Sequence, residues 1–398
     1  MKTKTWCAIF LALAALLLGC AGRRTTPGSV QTETPIPPAG GNGMAGNTLS
    51  AWRDRTPLIE PSPVWPAAAE DCALIYDPRA HRLVLCGGKN DDNENLDQVW
   101  EFDLQRNRWQ QIEIVGEKPP PTEDHVAVYD PMSHRLILHG GENGATWNNT
   151  WALSLTTHRW RNMTDAAAPA REDHTAVYDS RAKRMVIFGG RNWEIENSYD
   201  LWALDLDPQS PTFEKWRDLT VKEDHPAGRF DHVAVFDSLK NRMLVYGGWS
   251  KKEKEYLGDT WAFYFATMPE GALRPEAKGE WKKIKAKKSH PPKRRHAVGA
   301  YDSSRNWFIL CGGFGEEGYL NDVWAFDLAL DNWTNITPGP QPRIDHQAVY
   351  DPRSQHLIIY GGDARLQNKF HDMWELQIQA GRSFNLSVYK TLDARAEK

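Results

Sequence analysis

Residues 301–324, YDSSRNWFILCGGFGEEGYLNDVW, decide the fold. They read as a turn opened by Asp302, an apolar run Phe308-Ile309-Leu310-Cys311, the pair Gly312-Gly313, a polar loop, and then Asn321-Asp322-Val323-Trp324. An unbroken apolar run of strand length that ends at glycines predicts a strand buried on both faces. Asp at the first position of a turn accepts hydrogen bonds from the amides that follow it, so a second strand is expected to fold back through this turn.

The unit recurs six times. Gly-Gly pairs begin at residues 87, 140, 189, 247, 312 and 361, after the runs LVLC, LILH, MVIF, MLVY, FILC and LIIY. Asp-Pro or Asp-Ser turns precede the runs at 77, 130, 179, 237, 302 and 351. Four residues into each turn stands His81, His134, Lys183, Asn241, Asn306 or Gln355, where a bulged hairpin needs the left-handed conformation that Asn and His favour. After each glycine pair a strand carries Trp100, Trp151, Trp202, Trp261, Trp324 or Trp374, with Gln98, Asn149, Asp200, Asp259, Asp322 or Asp372 two residues before it. A fourth strand is marked by Trp109, Trp160, Trp216, Trp281 or Trp333. Four strands in about 50 residues predict a propeller blade. The sixth unit lacks its fourth Trp, and Ala51-Trp52-Arg53 matches Arg159-Trp160-Arg161. The expectation is an all-β, six-bladed propeller whose last blade is completed by an N-terminal strand, leaving no open end.

The pattern Arg-x-x-His-x-Ala, Gly-Gly, Asn-Asp-x-Trp and a later Trp resembles the kelch repeat. Arg343-Ile344-Asp345-His346-Gln347-Ala348 and Asn321-Asp322-Val323-Trp324 carry the likeness most closely, and it covers about residues 50–378. It implies the fold and leaves function open, because one scaffold of this kind hosts unrelated tasks. The propeller of galactose oxidase resembles these repeats too, but its copper site uses a Tyr cross-linked to a Cys. No such pair can be assigned among Cys72, Cys86 and Cys311, so oxidase activity is not expected. Cys72 and Cys86, on paired strands, are candidates either for a disulfide or for small buried residues.

Lys2, Lys4 and the apolar run Trp6 to Leu18 read as an export signal, too short to span a bilayer comfortably. The run ends in Leu17-Leu18-Gly19-Cys20, which resembles the lipobox of bacterial lipoproteins and implies a lipidated Cys20, with Ala21 pointing to the outer membrane. The expected organisation is a signal peptide over 1–19, a Gly/Pro/Thr-rich tether over 20–49, the propeller over 50–378, and a tail over 379–398. A net charge of −4 argues against nucleic acid as the partner. Phosphate-binding loops, nucleophile elbows and zinc motifs are missing from the sequence, so no catalytic residue, cofactor or metal is assigned.

Candidate binding residues are those the repeat does not require. Trp65, Trp193 and Trp249 fall in loops, with Phe314 beside them, on the face where loops after second and fourth strands emerge together. They either pack their own loops or form an aromatic platform for a carbohydrate or peptide. Arg171, Arg229 and Arg343 stand three residues before a His and either pair with local acids or form a partial ring for an anionic ligand. In this alignment Ala69, Thr122 and Lys293 take the arginine position elsewhere, and His125, His174, His232, His296 and His346, with Cys72, take the histidine position. Those histidines either hold a metal near one mouth or belong to the scaffold. Residues 278–295 carry nine Lys or Arg against one Glu, a solvated strand or a surface for anionic lipid or polysaccharide. The leading expectation is a monomeric, membrane-tethered module that binds a protein or carbohydrate. The rival is an exported enzyme resembling kelch-type sialic acid mutarotases, for which a deep polar mouth with a carboxyl near neutral pKa would speak.

Overall fold

The structure, a computed structural model, describes residues 52–56, 65–67, 70–195, 198–266, 279–286, 289–364 and 368–378. The signal segment, Cys20, the tether, Ala69, Lys278 and the tail after 378 lie outside the described residues. Six four-stranded antiparallel sheets account for the blades. Blades 1 to 5 are continuous in sequence, from innermost to outermost strand, and begin with Ala73–Asp77, Val126–Asp130, Thr175–Asp179, Val233–Asp237 and Val298–Asp302. Blade 6 joins Gln347–Asp351, His356–Tyr360 and Met373–Gln377 to Trp52–Asp54, with Trp52 opposite Leu376 and Asp54 opposite Trp374. The innermost strands neighbour one another in a ring, the sixth beside the first. Circular closure is therefore as the sequence predicts.

Apolar residues are buried as wedges between blades rather than as one central core. Ile75 and Val84 of blade 1, for example, pack with Leu136, Leu138, Trp151 and Trp160 of blade 2. Arg55 fastens the closure, donating to Glu375 in blade 6 and to Leu104 O and Asn107 in blade 1, each at 2.9 Å.

The turn residues behave as their chemistry requires. His81, His134, Lys183, Asn241, Asn306 and Gln355 all have φ between 50° and 60°. In blade 2, Asp130 accepts from Met132 N at 2.9 Å and from Arg135 Nε at 2.8 Å. At the other face, the second glycine of the pair stitches each of blades 1 to 5 to the next. Gly141 N donates to Arg171 O at 2.9 Å, and a Cβ on Gly140 would lie 2.5 Å from that oxygen. With φ at +72°, Gly140 is a position where a side chain is excluded twice over.

Candidate functional site

The arginines are clamps. Arg171 reaches Asp200 with both terminal nitrogens, at 2.7 and 2.8 Å, and donates to Gly189 O at 2.6 Å. Arg229 does the same with Asp259 and Gly247 O, and Arg343 with Asp372 and Gly361 O. All three are buried. Each Asp also accepts from the indole two residues on, Trp202, Trp261 or Trp374. The guanidinium groups are thus turned into the blades, linking first-strand approach, glycine pair and third strand, and are not presented to a ligand.

The fourth clamp corrects the register of blade 5. Arg294, not Lys293, donates to Gly312 O at 2.8 Å and to Asp322 at 2.5 and 2.7 Å. His296 consequently occupies the place of the preceding Asp in other blades, and Ala297 the place of the His. Lys293 instead pairs with Glu255 at 2.7 Å.

The remaining histidines, His125, His174, His232 and His346, are tucked under glycine pairs. A Cβ on Gly87 would meet His125 Cε1 at 2.4 Å, and one on Gly312 would meet His346 Cε1 at 2.8 Å. Burial pushes His125 down to about 4 and holds the other three well below the usual range. Neutral, enclosed imidazoles packed against backbone have scaffold roles. Cys72, Cys86 and Cys311 are buried, and no disulfide joins them. Burial pushes the Cys86 thiol up to about 12.

The mouth of the axial cavity is lined by Asp71, Asp124, Asp173, Asp231, His296 and Asp345, a ring of which His296 alone stood among the sequence candidates. All six have φ between 52° and 54°, the left-handed geometry that Asp tolerates, which turns each chain into its innermost strand. Their backbones form part of a circular chain, Asp124 N donating to Asp71 O, Asp71 N to Asp345 O, Asp231 N to Asp173 O and His296 N to Asp231 O. The cavity below measures about 260 Å³. Glu70, Glu123 and Glu172 precede the Asp in blades 1 to 3 and enlarge the acidic side. Lys369, Lys89, Arg191 and Arg295 offset part of this charge, pairing with Glu70, Glu123, Asp173 and Asp231 respectively. Asp71 and Asp124 carry no ion pair among the described residues.

Electrostatics follow from this crowding. Burial, then the neighbouring carboxylates, raise Asp71 and Asp124 well above the usual range. Burial and the charge of Asp173 push Glu172 up to about 7. Burial alone would lower His296, but it lies 3.1 Å from Asp231 and 2.5 Å from Asp345, whose charges lift it to about 10. It is therefore an imidazolium held in an acidic ring. Two trios, Glu70 with Asp71 and Asp345, and Asp71 with Glu123 and Asp124, bring carboxylate oxygens within 4.8 Å of one another, close enough to share one cation. The polar mouth and the near-neutral Glu172 carboxyl both meet what a sugar enzyme would need, yet the sign of the mouth is wrong for a carboxylated sugar, and the arginines that would hold that carboxylate are committed to Asp.

The aromatic candidates divide. Trp193 is 78% exposed. Trp249 is half-buried, its ring 4.8 Å from that of Tyr256 with Arg295 on its face. Phe314 packs edge-on against Tyr319 and near Tyr256. Trp65 lies against the wedge that contains Cys72 and Leu74. Three of the four candidates thus brace their surroundings. In the basic stretch, Lys282 pairs with Glu280, Lys283 lies over Trp261 near Asp259, and Arg294 and Arg295 are engaged as above.

A closed ring of Gly-Gly blades with arginine clamps and a loop-bearing mouth defines a kelch propeller. The chain matches the KLHDC2/KLHL20/DRC7 kelch-repeats domain family over residues 71–210, 148–339 and 210–382, and it belongs to that family. It is a kelch-repeat protein-interaction module. It is similar to putative adagio-like protein 2 of Oryza sativa, at 29% identity over 65% of this chain and 41% of that protein. It is also similar to an F-box/kelch-repeat protein of Arabidopsis thaliana, at 28% over 63% of this chain and 55% of that one. Dynein regulatory complex subunit 7 of Chlamydomonas reinhardtii is 29% identical over 31% of this chain and 10% of its own length. The chain spans little more than half the length of these relatives at most. All three are eukaryotic proteins, and their names say nothing of a lipid anchor.

Proposed function

We propose that this propeller binds a partner protein on the face carrying the Gly-Gly loops, and that a Lys- or Arg-bearing segment of the partner seats in the acidic mouth. The ring of five Asp and one His, widened by three Glu over blades 1 to 3, is the observation that carries this reading. A cationic side chain entering it relieves the repulsion among carboxylates that otherwise raises their proton affinity. The sequence of the first twenty residues supports a second element of the proposal: Cys20 is lipidated and the monomeric propeller stands off a membrane at a bacterial envelope, joined to it by the Gly/Pro/Thr-rich segment.

Fluorescence anisotropy of a Lys-rich synthetic peptide and its Glu-rich counterpart against the full chain tests the mouth. The Lys peptide should bind, lose affinity as salt rises, and weaken about tenfold when Asp124 and Asp345 are both replaced by Asn. Equal binding of the Glu peptide, or an unaffected double variant, would overturn the reading. For the anchor, lipid labelling of the chain should be abolished by Cys20→Ser; label retained on that variant would refute it.

A further inference from the structure

The blade 3 loop that follows Gly189-Gly190 differs from its counterparts in what it shows to solvent. Trp193, Ile195 and Tyr199 are all exposed. In blades 4 and 5 the equivalent loops turn their aromatic residues inward, as Trp249 with Tyr256 and Phe314 with Tyr319. The apolar display is nevertheless held in place. Asn192 Oδ1 accepts from Glu194 N at 2.9 Å and Ile195 N at 2.6 Å, and its amide donates to Ala170 O at 2.9 Å. Tyr199 stacks on His225 from the neighbouring connection, ring centres 4.1 Å apart and planes within 13°. At the root, Arg191 joins the loop to Glu172 and Asp173 of the mouth and lies over Phe230. An exposed Trp on a braced loop loses little conformational freedom on binding, the property of an anchor residue.

We infer that Trp193, Ile195 and Tyr199 form an apolar anchor site beside the acidic mouth, and that its occupant is a partner segment carrying a large aliphatic or aromatic side chain near a Lys or Arg. The choice of occupant rests on charge complementarity and on the function proposed above. Glu194 beside Trp193 in the chain, and Glu223 and Asp224 just before the His225 that stacks on Tyr199, are exposed and outnumber the exposed Lys222, while Glu172 and Asp173 are already paired with Arg191. A purely apolar segment would leave Glu194, Glu223 and Asp224 unmatched, and an acidic one would be repelled. A cationic apolar segment satisfies both, the hydrophobic contact supplying affinity and the charges setting orientation.

The test uses four pools of short labelled peptides against the full chain: Leu/Phe with Lys/Arg, Leu/Phe with Glu, Ser with Lys/Arg, and Ser with Glu. The first pool should bind most tightly and weaken about tenfold with Trp193→Ala, while Trp249→Ala serves as a comparison for packing loss. Thermal unfolding should be unchanged by Trp193→Ala, because the side chain contacts mainly water. If Ser with Lys/Arg binds as well as Leu/Phe with Lys/Arg and Trp193→Ala has no effect, the anchor site is overturned while the mouth stands. If binding of the first pool depends on Trp193 but ignores Asp124→Asn with Asp345→Asn, the mouth fails and the anchor stands. Sedimentation that reveals a dimer dissociated by Trp193→Ala would assign the patch to a second copy and overturn the inference.

Discussion

Arg229→Ala separates a clamp from a ligand-binding arginine. The Arg229 side chain is 0% exposed and donates to Ala227 O, Gly247 O and both carboxylate oxygens of Asp259, at 2.8 to 3.2 Å. Truncation leaves a cavity, the Ala227 and Gly247 carbonyls without this donor, and Asp259 with, among the described residues, the Trp261 Nε1 donor and Lys283 Nζ at 3.9 Å. Breaking a buried ion pair from one side costs about 3–5 kcal/mol, because the surviving charge stays desolvated. At roughly 2 °C per kcal/mol for a domain this large, the unfolding midpoint should fall by about 6–10 °C. Burial raises Asp259, but the Arg229 charge and hydrogen bonds outweigh it and hold the carboxyl below its usual range. A depressed carboxyl contributes stability above its unfolded pKa and loses it as pH falls through the folded value. Wild type should therefore lose this increment only in acid, and the variant's deficit should shrink there. Differential scanning calorimetry from neutral pH downward measures both. A midpoint unchanged at neutral pH, coupled with lost peptide binding, would refute the clamp and restore a ligand role to this arginine.

Gly140→Ala should lower stability by more than 2 kcal/mol in urea unfolding, since the new methyl meets Arg171 O and the residue has positive φ; the approximate figure follows from strain plus overpacking. Asp124→Asn should raise the unfolding midpoint at pH 8 while weakening Lys-peptide binding, because Asn tolerates the φ of 54° and removes one charge from the crowded ring. The sign follows from linkage: a carboxyl whose folded pKa is raised costs stability as pH climbs past its unfolded value, so neutralising it helps at any pH well above that value. Affinity for the Lys peptide should rise as pH increases through about 7, where Glu172 loses its proton, with His296 still charged up to about 10; Glu172→Gln should flatten that part of the profile. A profile flat from pH 6 to 8 in wild type would count against Glu172 facing the ligand.

The clamps were legible in the sequence in a form that single positions do not reveal. Asp precedes the third-strand Trp by two residues in blades 3 to 6, where an Arg stands in the approach to the first strand. In blades 1 and 2 Gln98 and Asn149 accompany Ala69 and Thr122. Acid and base come and go together, as partners do. The slip at Lys293 arose because His296 imitates the recurring His one residue early, and only the contacts of Arg294 expose it. The acidic ring was visible as Asp before His in Glu123-Asp124-His125 and its counterparts, but a recurring Asp reads as scaffold until its side chain is located.

Repetition and periodicity specified blade number, strand order, the left-handed turn residues and the closure through Trp52, because those depend on local geometry and on residues that recur at fixed spacing. Where each charge and ring is spent depended on distances across blades. Arg171 and Glu172 are adjacent in the chain, yet one is drawn into its blade by Asp200 and the other lies beside the acidic mouth. Trp193 and Trp249 occupy matching loops, and only the neighbours Tyr256 and Arg295 decide that one is covered and the other left in water. Burial and electrostatic environment are sums over groups far apart in sequence, so they take their values only once the ring is closed.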